Sequence, residues 1–304
     1  MRVIINITNC MKKIIVVTGG AGFVGSNLIE YLIKKTNYEI LSIDNYSSGL
    51  KKNHVLSKRV KYVKGDTHKI DKILLKKKKK IHTIFHFGEF SRIYKSFENI
   101  NSCLESNSIG SLEVFKYCLE NKIKLIYSAT SAGLGSKNKN LSPYAFTKSK
   151  NLEYLENLKK WFNFKYEVIY FYNVYGPYQI KVGEMATVIG IFEDQYLNNS
   201  KLTVVRPGYQ TRKFTHIDDT IRVCFEAWKK DKNKHYSIFY NKNYSILAVA
   251  KMFKSKIKFL PFRMGERYAS VLTKMNLNNR IIHRKGKINL KNYISNFIKI
   301  NKKS

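Results

Sequence analysis

The stretch Val16-Val17-Thr18-Gly19-Gly20-Ala21-Gly22-Phe23-Val24-Gly25 decides how this chain folds. An apolar run from Ile14 to Val17 leads into it and reads as a buried strand, and the apolar-periodic segment Leu28 to Ile33 after it reads as a helix. Gly20, Gly22 and Gly25 fit G-x-G-x-x-G, while Gly19, Gly22 and Gly25 fit G-x-x-G-x-x-G. Such a turn lets backbone N–H groups, those of Phe23 and Val24 among them, approach a pyrophosphate, and the helix N-terminus faces the negative charge. A glycine pattern alone is weak; the strand before it and the helix after it give it weight.

The next strand, Glu39 to Ile43, ends at Asp44, about 20 residues past the last glycine. A carboxylate there accepts hydrogen bonds from both hydroxyls of an adenosine ribose and repels a 2′-phosphate, so the reading is NAD rather than NADP. The structural alternative makes Asp44 a turn-former before Asn45 and Ser47-Ser48-Gly49.

The 304 residues suffice for one large α/β domain with a smaller lobe. Four cysteines, Cys10, Cys103, Cys118 and Cys224, lack C-x-x-C spacing, which argues for a reducing compartment and against disulfides or a metal site. No apolar run reaches the length of a membrane span. Residues 1–10 read as an extension ahead of the first strand rather than a signal peptide, and a cytoplasmic protein is expected. The net charge of +35 comes from lysines spread along the whole chain, with no basic recognition motif. That argues against nucleic acid, while a positive field could help recruit a phosphorylated substrate. The run Lys76 to Lys80 reads as a solvated helix end or loop.

Further strand-like runs are Arg59 to Val63, Thr83 to Phe87, Lys124 to Ser128 and Val168 to Tyr172, with helical spacing from Leu104 to Leu119. This β–α alternation predicts an α/β fold, a Rossmann-type doubly wound parallel sheet with ligands at the carboxyl ends of its strands. Past Gly176-Pro177 the pattern turns irregular: a helix over Ala186 to Leu197, strands around Leu202 to Val205, and a helix near Asp218 to Lys229. The tail stripe Leu290, Tyr293, Ile294, Phe297 and Ile298 reads as core packing. The expected division is an NAD-binding domain over 11–175, rejoined near 206–230, and a smaller, discontinuous C-terminal substrate-binding lobe over most of 176–304.

Tyr144-Ala145-Phe146-Thr147-Lys148 places a tyrosine and a lysine at i and i+4 on one helix face, behind the capping-like Ser142-Pro143. An ammonium beside a phenol stabilises phenolate, which makes a base competent near neutral pH. With 21 tyrosines and many lysines in the chain, chance matches are expected; the position after the strand ending near Tyr127 lifts this one. Ser128-Ala129-Thr130-Ser131 sets hydroxyls on the same sheet edge, where one can bridge a reacting alcohol and the tyrosine oxygen. A plain polar turn is the alternative.

With these motifs in order, the chain resembles the extended short-chain dehydrogenase/reductase family, in particular nucleotide-sugar epimerases of the UDP-glucose 4-epimerase type. The resemblance runs from about Lys12 to Arg267. It rests on Thr18 to Gly25, Asp44-Asn45, Gly65-Asp66, Phe85-His86-Phe87, Asn107 with Gly110, Thr130, Tyr144 with Lys148, and Phe171 to Pro177. Arg212 to Asp219 and Arg263-Met264-Gly265-Glu266 complete the series. The resemblance implies Tyr144 as base, Lys148 as its modulator and ribose ligand, and Thr130 as hydroxyl partner. It implies Asp66 at the adenine ring, with Asn45, Phe87 and Asn107 also on the NAD side. Asn173, Arg212 and Arg263 would address the diphosphate of a nucleoside-diphosphate sugar, where the arginine fork suits phosphate oxygens. A homodimer through helices near 103–120 and 145–160 is implied as well.

Departures narrow the expectation. Family members that dehydrate or decarboxylate the sugar carry acidic residues just after the hydroxyl position, where this chain has Ser131 and Ala132. Removal of a C5 proton needs a base, so epimerisation is favoured. Phe87-Gly88-Glu89-Phe90-Ser91-Arg92 replaces a small apolar sequence, leaving Glu89 and Arg92 either to face the sugar or to pair with each other. Leu134 stands where tyrosine is usual, the loop from Gly135 to Tyr144 is short, and Met264 replaces a proline. The expectation is an NAD-dependent epimerase acting at C4. A ketoreductase or dehydrogenase, a 4,6-dehydratase, and a non-catalytic NAD-binding scaffold are the alternatives.

Overall fold

The computed structural model describes residues 13–130, 142–262 and 281–301. The first half alternates strands and helices: β1 (Ile14–Thr18), α1 (Phe23–Lys35), β2 (Glu39–Asp44), β3 (Val60–Lys64), α2 (Ile70–Leu74) and β4 (Ile81–His86). Short helices α3 (Lys95–Glu98) and α4 (Ile100–Leu104) lead to α5 (Ser111–Glu120), β5 (Lys124–Thr130), α6 (Pro143–Phe162) and β6 (Tyr166–Phe171). There follow β7 (Val174–Tyr175), α7 (Val188–Leu197), β8 (Leu202–Val205), β9 (Thr211–Lys213), β10 (Thr215–His216) and α8 (Ile217–Lys230). The chain closes with β11 (His235–Phe239), β12 (Asn243–Ser245), α9 (Ile246–Met252), β13 (Ile257–Leu260), β14 (Ile281–Lys285) and α10 (Leu290–Asn301).

Eight strands form one parallel sheet in the order β14-β11-β6-β5-β4-β1-β2-β3. The order reverses between β1 and β4, which opens a crevice at their carboxyl ends. Both faces are covered, so β1 is apolar at successive positions rather than alternately. Ile14 and Val16 enter one core cluster, Ile15 and Val17 the other. Each such buried side chain contributes about 1.5–3 kcal/mol. A third cluster, around Tyr175, Phe192 and Phe253, packs the smaller sheets and includes Leu290 and Ile294 of the tail stripe.

Two departures from the sequence pattern bear on the site. Beyond α8, strands β11 and β14 also join the main sheet, so late segments interleave with early ones more than the 206–230 stretch suggests. The helix expected over Leu104 to Leu119 is interrupted by a π-helical turn, Glu105–Gly110. Gly110 lies so close to the Thr67 side chain that a Cβ would come within 2.2 Å of its Oγ1. Among the described residues no helix is long and apolar enough to cross a membrane.

Candidate active site

A cavity of about 760 Å³ opens at the carboxyl ends of the central strands. Its walls combine the turn after β1, the loops after β2, β3 and β4, the end of β5, the start of α6 and the segment after β6. The segment around Ile180 to Thr187 and Arg212 of β9 close it from the other side.

At one end lie Gly19, Gly22, Phe23, Val24 and Gly25. Gly19 has φ +70°, and a Cβ on it would meet the Gly88 backbone at 2.8 Å. A Cβ on Gly25 would approach the Gly19 carbonyl oxygen to 2.1 Å, so strand, turn and helix sit closer than any side chain permits. Helix α1 has Gly22 at its N-cap and no side-chain cap, which leaves its first N–H groups to a ligand. Asp44 is buried, and its carboxylate accepts the Ala21 N–H at 2.9 Å and the Tyr46 N–H at 2.8 Å. Burial raises its pKa above the ordinary value, opposed by those two N–H groups. Asn45 Nδ2 donates to Asp66 Oδ1 at 2.8 Å, tying the β2 and β3 loops together. These features fit NAD: a Cβ-free cradle and uncapped helix end for the pyrophosphate, a carboxylate for the ribose, a polar pair beyond it.

At the other end stand Thr130, Tyr144 and Lys148. Helix α6 starts there because Ser142 Oγ accepts the Ala145 N–H at 3.1 Å, with Pro143 at the first helical position. The Tyr144 N–H donates to Ser96 Oγ at 3.2 Å, locking the turn that carries the phenol. Lys148 Nζ donates to the Ser128 carbonyl at 2.6 Å and forms an ion pair with Glu89. Glu89 therefore pairs with Lys148, the partner neither sequence alternative named. Arg92 donates to the Met185 and Ser91 carbonyls instead.

Asn173 and Arg212 are brought together on the wall: Asn173 Nδ2 donates to the Lys213 carbonyl at 2.9 Å, one residue past Arg212 on β9. Asn107 does not line the cavity. It is fully buried in the π turn, where Oδ1 accepts the Phe90 N–H at 2.7 Å and Nδ2 donates to the Phe90 carbonyl at 3.0 Å. Its effect is to hold the β4 loop that carries Glu89 and Arg92. Arg263, Met264, Ser131, Ala132 and Leu134 lie outside the described residues, as do residues 1–10. Sequence reasoning missed Asn151, Met185 and Thr187. Asn151 lies one helical turn past Lys148, which was a usable signal; Met185 and Thr187 come from the irregular segment and had none.

Residues 15–239 match the NAD dependent epimerase/dehydratase family. A protein of Methanocaldococcus jannaschii that bears the provisional name UDP-glucose 4-epimerase is 30% identical over 261 residues, 81% of this chain and 83% of its own length. A UDP-N-acetylglucosamine 4-epimerase of Methanobrevibacter ruminantium, solved with UDP-N-acetylmuramic acid, is 25% identical with a TM-score of 0.81, covering 96% of this chain and 97% of its own. A UDP-glucose 4-epimerase of Thermotoga maritima, solved with UDP-glucose, shares the fold at 24% identity and a TM-score of 0.83, over 94% of this chain and 97% of its own.

Proposed function

The chain belongs to the NAD dependent epimerase/dehydratase family, and from that premise we propose that it interconverts nucleoside-diphosphate sugars differing at C4, with NAD held throughout. The observation that carries the reading is Thr130, Tyr144 and Lys148 on one wall of a cavity whose far end is the glycine cradle and Asp44. When bound, NAD supplies a hydride acceptor that returns the hydride within the same cycle.

The chain's own groups do the rest. Gly19 to Gly25 and Asp44 bind the dinucleotide; Asn173 and Arg212 bind the diphosphate, with Arg263 as a third ligand. Tyr144 takes the proton of the C4 hydroxyl, and Thr130 donates to the same oxygen and fixes its direction. With the C4 hydride held by NAD when it is bound, the 4-keto sugar would turn over in the pocket, so that C4 would recover the hydride on its other face while its oxygen regains the proton from Tyr144. Ser131 and Ala132, at the positions where the family's dehydratases carry acids, favour epimerisation over removal of a C5 proton.

We read the working form as a homodimer. Ile100, Leu104, Ile109 and Leu112, with Phe146 at the start of α6, are large apolar side chains left exposed on the expected helices. Sedimentation as a monomer at micromolar concentration would contradict this.

The test is to incubate the protein as purified, without added cofactor, with a panel of nucleotide sugars and follow products by NMR. Appearance of a C4 epimer supports the reading. With free cofactor then added, net NADH formation equal to product would favour a dehydrogenase, and NAD binding without turnover of any sugar would favour a scaffold.

A further inference from the structure

The tyrosine–lysine pair is ordinarily thought of as a phenol beside an uncompensated ammonium. Here the ammonium has a counter-ion built into the wall. The Glu89 side chain is 2% exposed and that of Lys148 6%. One Glu89 oxygen takes Lys148; the other accepts from Ser111 Oγ at 2.9 Å, Tyr127 OH at 3.0 Å and Asn151 Nδ2 at 3.3 Å. Those donors come from three elements, α5, β5 and α6. A carboxylate has about four acceptor sites, and four donors already reach this one, so it is held firmly in the wall. Lys148 in turn spends one donor on Glu89 and one on the Ser128 carbonyl, with Nζ 4.7 Å from the Tyr127 ring centroid. An ammonium has three donors, so one remains for the cavity that Lys148 lines.

From this geometry we propose that Glu89 is a positioning residue that fixes the Lys148 ammonium against β5 and balances its charge, so the working unit is Tyr144–Lys148–Glu89. The proposal rests on the reading of Tyr144 as base. The other ionisable groups that face the cluster are His86 on β4, Cys103 on α4, Tyr127 on β5, and Arg92 beside Tyr144. Burial holds His86 down to about 4 and pushes Cys103 and Tyr127 up, so these three stay neutral near pH 7. Arg92 keeps its charge at every working pH. Glu89 is thus the buried negative charge that balances the Lys148 ammonium.

The experiment is an ultraviolet difference titration of tyrosinate, intact protein minus Tyr144→Phe, with NAD added to both. It is repeated in the Glu89→Gln and Glu89→Asp backgrounds. Glu89→Gln leaves the Lys148 charge unbalanced, and the Tyr144 midpoint should fall by about one pH unit, a tenfold change in proton affinity. Glu89→Asp keeps the charge, and its midpoint should stay nearer the native one. A merely structural role would lower stability in both while leaving the midpoints together. Should Glu89→Gln not fold, Tyr127→Phe removes one donor from the carboxylate, concentrates its charge on Lys148 and should raise the midpoint. Midpoints unchanged in the folded variants would overturn the proposal. None of these readouts needs sugar turnover, so a protein that epimerises nothing yet shows the shift would refute the function and leave the inference standing.

Discussion

The two ends of the cleft differ in how far along the chain their partners lie. At the dinucleotide end, Ala21 meets Asp44 across 23 residues and Asn45 meets Asp66 across 21. At the sugar end, Lys148 meets Glu89 across 59 residues and Arg92 meets Met185 across 93. The first end is built from β1, α1, β2 and β3 in sequence order, in which a turn, a helix start and strand ends follow one another. The second is assembled from elements scattered along the chain and owes its chemistry to which of many lysines and carboxylates the packing selects. A short-range construction can be altered one property at a time; the long-range one changes its protonation behaviour whenever a contact is lost.

The largest effect is expected at the sugar end. Tyr144→Phe should lower turnover about 10²–10⁴-fold, the usual contribution of a positioned base, with the bound NAD content of the purified protein unchanged. Activity within a few-fold of native would remove Tyr144 from the mechanism and erase the division of labour between the ends.

Next comes His86, at the seam between them. It is fully buried, with Nδ1 2.7 Å from Thr18 Oγ1 and Nε2 3.0 Å from Ser111 Oγ, and burial lowers its pKa to about 4. A histidine lowered on folding contributes stability that is present above its unfolded pKa, near 6.5, and is lost as pH falls toward 4, about 3 kcal/mol in all. Urea unfolding across that window should show this slope in the native protein and lose it in His86→Asn.

Asp44→Asn should weaken NAD about tenfold and narrow the gap to NADP, measured by calorimetry. Because burial raises the Asp44 pKa, native NAD affinity should begin to fall, as pH is lowered, above the ordinary carboxylate range. Unchanged cofactor preference would reduce Asp44 to the turn-former of the structural alternative. The smallest effect, about 1 kcal/mol of stability, belongs to the helix cap: Ser142→Ala should lower Tm by a few degrees while leaving NAD affinity alone.

The same contrast explains what the sequence made legible. The glycine turn and Asp44 could be read because their spacing is their mechanism. The parallel sheet followed from apolar runs buried on both faces, and Tyr144/Lys148 from helical spacing. Glu89 and Arg92 could be singled out as unusual but not assigned partners, because pairing depends on how the β4 loop is held. Asn107 holds that loop from a π turn that no periodicity announces. The late strands β11 and β14 were missed for a related reason: their neighbours in the sheet lie far away in sequence.

The central claim is a hydride that leaves and returns within one cycle. Running the C4 interconversion in D2O tests it most directly. The account predicts the epimer with hydrogen retained at C4 and at C5 and no accumulation of NADH. Deuterium at C5 with loss of water, or solvent deuterium at C4, would contradict it.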